Sequence, residues 1–189
     1  MRLLLSSPLL TESLISNPVL HPRNAHRQGY DFERLSAALP ALSDYIRTNP
    51  AGQPTVDFSD PDALRLLNEA LLRAHYGLQQ WYLPQGYLCP PVPGRADYLH
   101  HIADLLAECN GGDIPKGPKL RLLDLGTGAN GIYLILAAAL YSWSATGTET
   151  DAEALQALRQ TIAANPTLLQ HAEARHQTDP QRLLTGVVG

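Results

Sequence analysis

The stretch from Leu120 to Gly131 constrains this chain more than any other. A short apolar run, Leu120-Arg121-Leu122-Leu123-Asp124, passes into Leu125-Gly126-Thr127-Gly128-Ala129-Asn130-Gly131 and then into Ile132 to Leu140, which is apolar on nearly every side. Glycines at such a junction let the backbone turn sharply from strand to helix and let a ligand approach the main chain. A second strand is expected at Ser144 to Thr148. Thr150 and Glu153 then stand at capping-box spacing before a helix that reaches about Ala164 and is stopped by Asn165-Pro166. A third strand is expected near Ala172 to His176. Strand, helix, strand, helix implies a parallel sheet in an α/β fold. Three strands leave an open edge and uncovered apolar faces, so the chain is expected to be truncated within a larger Rossmann-like sheet.

The text before this stretch reads differently. Residues 1–29 show no sustained period and are read as an irregular arm. Asp31 to Leu42 carries Phe32, Leu35, Ala38 and Leu42 as a helical stripe ending near Pro40. Asp60 stands where an N-cap belongs, with Pro61 at the first helical position and Leu64, Leu67, Leu71 and Ala74 on one face. Aromatics and prolines from Trp81 to Gly94 exclude regular helix there, and a third helix is expected from about Arg95 to Glu108. The expected organisation is an arm (1–29), a helical module (30–112) and an α/β unit (113–189).

The net charge of −4 provides no global attraction to nucleic acid, so any such contact must be local. The candidate is the segment from His21 to Arg34, which carries Arg23, Arg27 and Arg34 with His21 and His26 close by. No apolar run approaches the roughly 18 residues of a membrane span. A signal peptide over Met1 to Leu10 is argued against by Pro8 and Glu12. Cys89 and Cys109 are too few for a disulfide framework or a zinc site, so reduced thiols in the cytoplasm and no metal are expected.

Gly126, Gly128 and Gly131 match the spacing G-x-G-x-x-G, and Glu149 stands about twenty residues on, at the end of the next strand. NAD and S-adenosylmethionine both use such a loop and both present ribose hydroxyls to an acid placed like Glu149. Asp124 favours the second. Two residues before the first glycine, its carboxylate would repel a pyrophosphate but attract the ammonium and sulfonium of S-adenosylmethionine. An NAD-dependent oxidoreductase and a non-catalytic RNA-binding module with a vestigial cofactor fold stay open as alternatives.

Over about residues 20–170 the chain resembles the bacterial methyltransferases that act on N6 of an adenine in 23S ribosomal RNA, which have eukaryotic spliceosomal-RNA relatives. The resemblance rests on His21-Pro22-Arg23-Asn24, Tyr30-Asp31, Val56-Asp57-Phe58, the run Leu88-Cys89-Pro90-Pro91-Val92-Pro93-Gly94-Arg95 through His101, Leu123 to Tyr133, and Thr146-Gly147-Thr148-Glu149. It implies a class I methyltransferase fold with a helical module that grips large-subunit RNA. By this match Arg95, Gly126 and Glu149 look like cofactor contacts, joined by Asp124 and Gly128 of the loop, with Arg95 pairing the methionine carboxylate. The Asn/Asp-Pro-Pro-aromatic motif that such enzymes use to accept hydrogen bonds from the adenine amino group is absent from the 189 residues, so no catalytic residue is expected in them.

Overall fold

The computed structural model describes residues 20–179 and 181–184. Met1 to Leu10 and most of the expected arm lie outside them. Helix α1 (Phe32–Ala38) is capped by Asp31, whose side chain accepts from the Arg34 N–H. It stops before Pro40, with Leu39 extended, and a 3-10 turn spans Pro40–Tyr45. Two three-residue strands follow, β1 (Ile46–Thr48) and β2 (Pro54–Val56), paired antiparallel. Their turn is held by Asn49, whose side-chain oxygen accepts from the N–H groups of Ala51 and Gln53. The sequence reading assigned no element there, because strands this short display no periodicity.

Helix α2 (Pro61–Tyr76) begins as expected, with Asp60 accepting from the N–H groups of Asp62 and Ala63. Helix α3 (Val92–Glu108) starts earlier than expected, because Pro93 and Gly94 occupy its first turn. Proline is tolerated there, since first-turn N–H groups have no partner within the helix. The N–H of Val92 is taken by the Asn68 side chain of α2, 2.9 Å away.

Strands β3 (Arg121–Leu125), β4 (Ser144–Glu149) and β5 (Ala172–His176) form a parallel sheet in that order. Helix α4 (Ile132–Tyr141) packs on all three strands, with α2 and α3 leaning on it from the helical side. Burial from both sides explains why α4 carries no polar face. Helix α5 (Ala152–Ala163) packs on β4 and β5, and the short α6 (Pro166–His171) packs beside it. The cap of α5 is Asp151, which accepts from Glu153 and Ala154, and not Thr150 as the capping-box spacing suggested. Thr150 is drawn off by the neighbouring Glu149 carboxylate.

One buried cluster runs from Phe32 of α1 through Leu71, Leu99, Leu134 and Leu158 to Ala174 of β5. Packing is therefore continuous across residue 112. Trp143 is fully buried, stacks on Tyr141 at 4.6 Å and donates its indole N–H to the Pro115 carbonyl. Among the described residues, β3 is an edge strand, and Leu123 and Leu125 on it are exposed. None of the described helices is long and apolar enough to cross a membrane.

Candidate cofactor site

The site lies at the carboxyl ends of β3 and β4, where ligands of open parallel sheets collect. Gly126 and Gly128 have φ of 70° and 65°, a region in which only glycine is comfortable. That geometry turns the N–H groups of Gly126 and Thr127 onto the Thr148 carbonyl, both at 2.9 Å.

Glu149 ends β4 and reaches back across the loop. One carboxylate oxygen accepts the Gly128 N–H at 2.9 Å, and the other accepts the N–H groups of Thr150 and Asp151. Burial alone would raise this carboxyl, but the backbone donors of Asp151, Gly128 and Thr150 hold it below the usual range. It is therefore an anion held in place, with lone pairs left for a pair of hydroxyls.

Asp124, near the end of β3, has its carboxyl pushed up by burial, against the opposing pull of the Thr127 hydroxyl and the Arg95 guanidinium. The Thr127 hydroxyl makes no hydrogen bond of good geometry; its oxygen is buried and unpaired. Arg95 closes the first turn of α3, its N–H bonded to the Pro91 carbonyl, and its guanidinium donates to the Tyr133 hydroxyl at 3.3 Å.

Two clefts meet at Leu125 and Gly126. One, of about 260 Å³, runs beside Glu149 to Gln177 and Leu183. The other, of about 280 Å³, holds Arg95, Asp124, Thr127 and Tyr133, under Leu88 and Pro90. The trough thus has a hydroxyl acceptor at one end and a facing carboxyl and guanidinium at the other. A larger groove of about 500 Å³ lies alongside, between α3 and β3. Its lining is mostly apolar, so it has little with which to orient a polar ligand.

A strap from Gln79 to Pro91 walls the loop. The Trp81 indole N–H donates to the Asn130 carbonyl at 3.0 Å, and the Asn130 amide donates to the Leu88 carbonyl. Tyr87 donates to Asp151 at 2.8 Å, which raises the phenol to about 12.

The five residues expected at a cofactor, Arg95, Asp124, Gly126, Gly128 and Glu149, all fall on this trough or on the loop between its ends. Sequence reasoning missed Thr127, Asn130, Tyr133, Gln177 and Leu183 there. Asn130 and Tyr133 adjoin the glycine motif and could have been found; Gln177 and Leu183 carry no such signal.

The residues expected at RNA lie elsewhere. His21 is buried, bonded through Nε2 to Asp104 at 2.8 Å and stacked on His100. Arg23 donates to Asp104 at 2.6 Å and to the His100 carbonyl. Arg27 is exposed, and its guanidinium has no partner among the described residues.

A family profile described as RNA methyltransferase matches residues 14–189. The chain belongs to this family. It is 52% identical over 170 residues to the ribosomal RNA large subunit methyltransferase F of Stutzerimonas stutzeri, a match covering 90% of this chain and 52% of that protein. The enzyme of the same name from Cronobacter sakazakii is 48% identical over 171 residues, 90% of this chain and 55% of its own length. The chain thus spans about half the length of these curated relatives. The crystal structure of the N-terminal domain of human METTL16 with SAH superposes with a TM-score of 0.77 at 28% identity, covering 90% of this chain and 64% of that one. The METTL16 catalytic domain bound to a MAT2A 3′UTR hairpin superposes at 0.72 and 30% identity, over 85% of this chain and 54% of that one. The likeness to these METTL16 structures agrees with the class I α/β fold expected from the sequence.

Proposed function

We propose that the protein methylates N6 of an adenine in large-subunit ribosomal RNA, with S-adenosylmethionine as donor, and that this chain is its cofactor-holding half. What carries the reading is the trough around Gly126, with Glu149 at one end and Arg95 and Asp124 at the other. Glu149 accepts the ribose hydroxyls while staying bonded to Gly128. Asp124 receives the ammonium and Arg95 the carboxylate of the methionine part. Gly126 and Gly128 let the ligand lie close against the main chain. S-adenosylmethionine, when bound, supplies an electrophilic methyl on sulfur. The contribution of these residues is to fix its direction toward an incoming amine, and positioning of this kind is a large part of such catalysis.

In this reading residues 30–112 form the RNA-facing module, 113–189 the cofactor domain, and the enzyme works in the cytoplasm. Arg27, in the arm just before that module, adds an exposed guanidinium to its RNA face. Arg23 contributes only donors left over from Asp104, and His21 supports the segment from within.

The test is calorimetric titration of the chain with S-adenosylmethionine. Binding that is lost in Glu149→Ala is expected and leads to a methyl-transfer assay on 23S RNA, using protein of the relatives' full length. RNA binding with no response to cofactor or to Glu149→Ala would overturn the reading in favour of a non-catalytic RNA-binding module.

A further inference from the structure

Tyr133 is the second residue of α4 and faces the cleft that holds Arg95 and Asp124. Its hydroxyl accepts from Arg95 Nη1 at 3.3 Å, and the Arg95 guanidinium carbon lies 5.8 Å from the centre of its ring. The ring is itself braced by Tyr98 of α3, at 5.7 Å between centroids. No carboxylate forms an ion pair with Arg95 among the described residues. A guanidinium carries five N–H donors, so most of those on Arg95 remain free for a ligand in the cleft.

We propose that Tyr133 is a positioning residue of the cofactor site, holding the Arg95 guanidinium so that its free donors meet the ligand's carboxylate as a planar pair. The proposal rests on the cofactor assignment above and adds a residue to it. An arginine on a long stem loses rotamer freedom when it pairs with a ligand, and a partner that fixes it beforehand lowers that cost. A phenol suits the task because it is neutral. It orients the cation by a hydrogen bond and by its ring face without cancelling the charge the carboxylate needs. A carboxylate at position 133 would compete with the ligand. Tyr133 and Asp124 also form the wall shared with the apolar groove beside α3, so the same ring that orients Arg95 separates the polar cleft from that groove.

The experiment is calorimetric titration of the chain with two ligands, S-adenosylhomocysteine and 5′-methylthioadenosine, which shares the adenosine and sulfur but lacks the amino-acid part. Tyr133→Phe keeps the ring and its packing. It is expected to raise the Kd for S-adenosylhomocysteine about tenfold or more, the loss of one hydrogen bond to a charged group, and to leave 5′-methylthioadenosine unchanged. In an Arg95→Ala background the same substitution is expected to have no further effect, because the group it positions is gone. Tyr133→Leu, which removes ring and hydroxyl together, is expected to approach Arg95→Ala.

Equal weakening of both ligands, or an unchanged Kd for S-adenosylhomocysteine in Tyr133→Phe, would overturn the positioning role while leaving the cofactor assignment intact. Failure of the unaltered chain to bind either ligand would overturn both.

Discussion

Asn68, in the middle of α2, accepts the first N–H of α3 from Val92 at 2.9 Å, and its own amide donates to the Leu64 carbonyl one turn back. One buried side chain thus sets where α3 begins, and Arg95 follows within the same turn. Helix α2 and the position of Arg95 in the proposed cofactor trough are coupled through this amide.

Asn68→Ala leaves the Val92 N–H buried without an acceptor. A loss of about 1–3 kcal/mol in unfolding free energy is expected by urea titration, the range for a lost cap with an unpaired buried donor. Weaker S-adenosylhomocysteine binding is expected alongside it, through displacement of Arg95. A stable variant with unchanged affinity would show that α3 does not depend on this cap.

Gly147 of β4 lies under the glycine loop. A Cβ there would stand 2.8 Å from Thr127 Cγ2, and Thr127 is β-branched and buried in a tight turn, so it has little room to yield. Gly147→Ala is expected to weaken S-adenosylhomocysteine binding at least about tenfold by lifting the loop, at a stability cost of about 1–3 kcal/mol for overpacking. Calorimetry and urea denaturation on the same variant check both halves of the expectation.

Asn165 was read as a helix stop, and it does end α5, but its side chain does more. Its oxygen accepts from the N–H groups of Gln79 and Gln80, and its amide donates to the carbonyls of Gln80 and Thr161. Asn165→Ala is expected to cost about 1–3 kcal/mol, because several buried or part-buried backbone groups lose their partner. Faster hydrogen exchange at Gln79 and Gln80, with slower change elsewhere, would localise the effect to the start of the strap.

Acid stability should follow His26 and His100. Burial, the largest cause for each, lowers both from the ordinary 6.5 to about 4, helped for His26 by His75 and His100, and for His100 by Arg23 and His21. Both therefore stay neutral in the fold while the unfolded chain protonates them. Stability is complete above roughly pH 6.5 and falls as pH drops toward 4, by up to about 1.4 kcal/mol per pH unit for each histidine. Urea midpoints measured between pH 7.5 and pH 4.5 check this, and a flat profile would contradict it.

The parts of the fold carried by neighbouring residues were legible in the sequence. The step from Leu123 to Ile132, the acid at Glu149, the Asp60-Pro61 helix start and the strand at Ala172 are all local patterns, and each is where it was expected. What depends on distant partners was not legible. The start of α3 depends on Asn68, 24 positions earlier than Val92. Whether His21 and Arg23 face solvent is decided by Asp104, more than 80 positions away. The β1–β2 hairpin has strands too short for a period to register. The residues proposed for the cofactor meet on one trough because they lie on one strand–loop–helix–strand unit and at one helix start, whereas the lining from Leu183 folds in from beyond β5 and carries no local signal.

The strap from Gln79 to Pro91 also bears on modularity. Trp81 and Asn130 meet across 49 positions of chain, and Asn130 and Leu88 across 42. The wall of the glycine loop is thus contributed by residues that lie before the sheet and outside the α/β unit. An exchange of cofactor domains between relatives must carry residues 79–91 with the sheet; a graft of 119–176 alone would transplant the loop without the side chains that hold its shape.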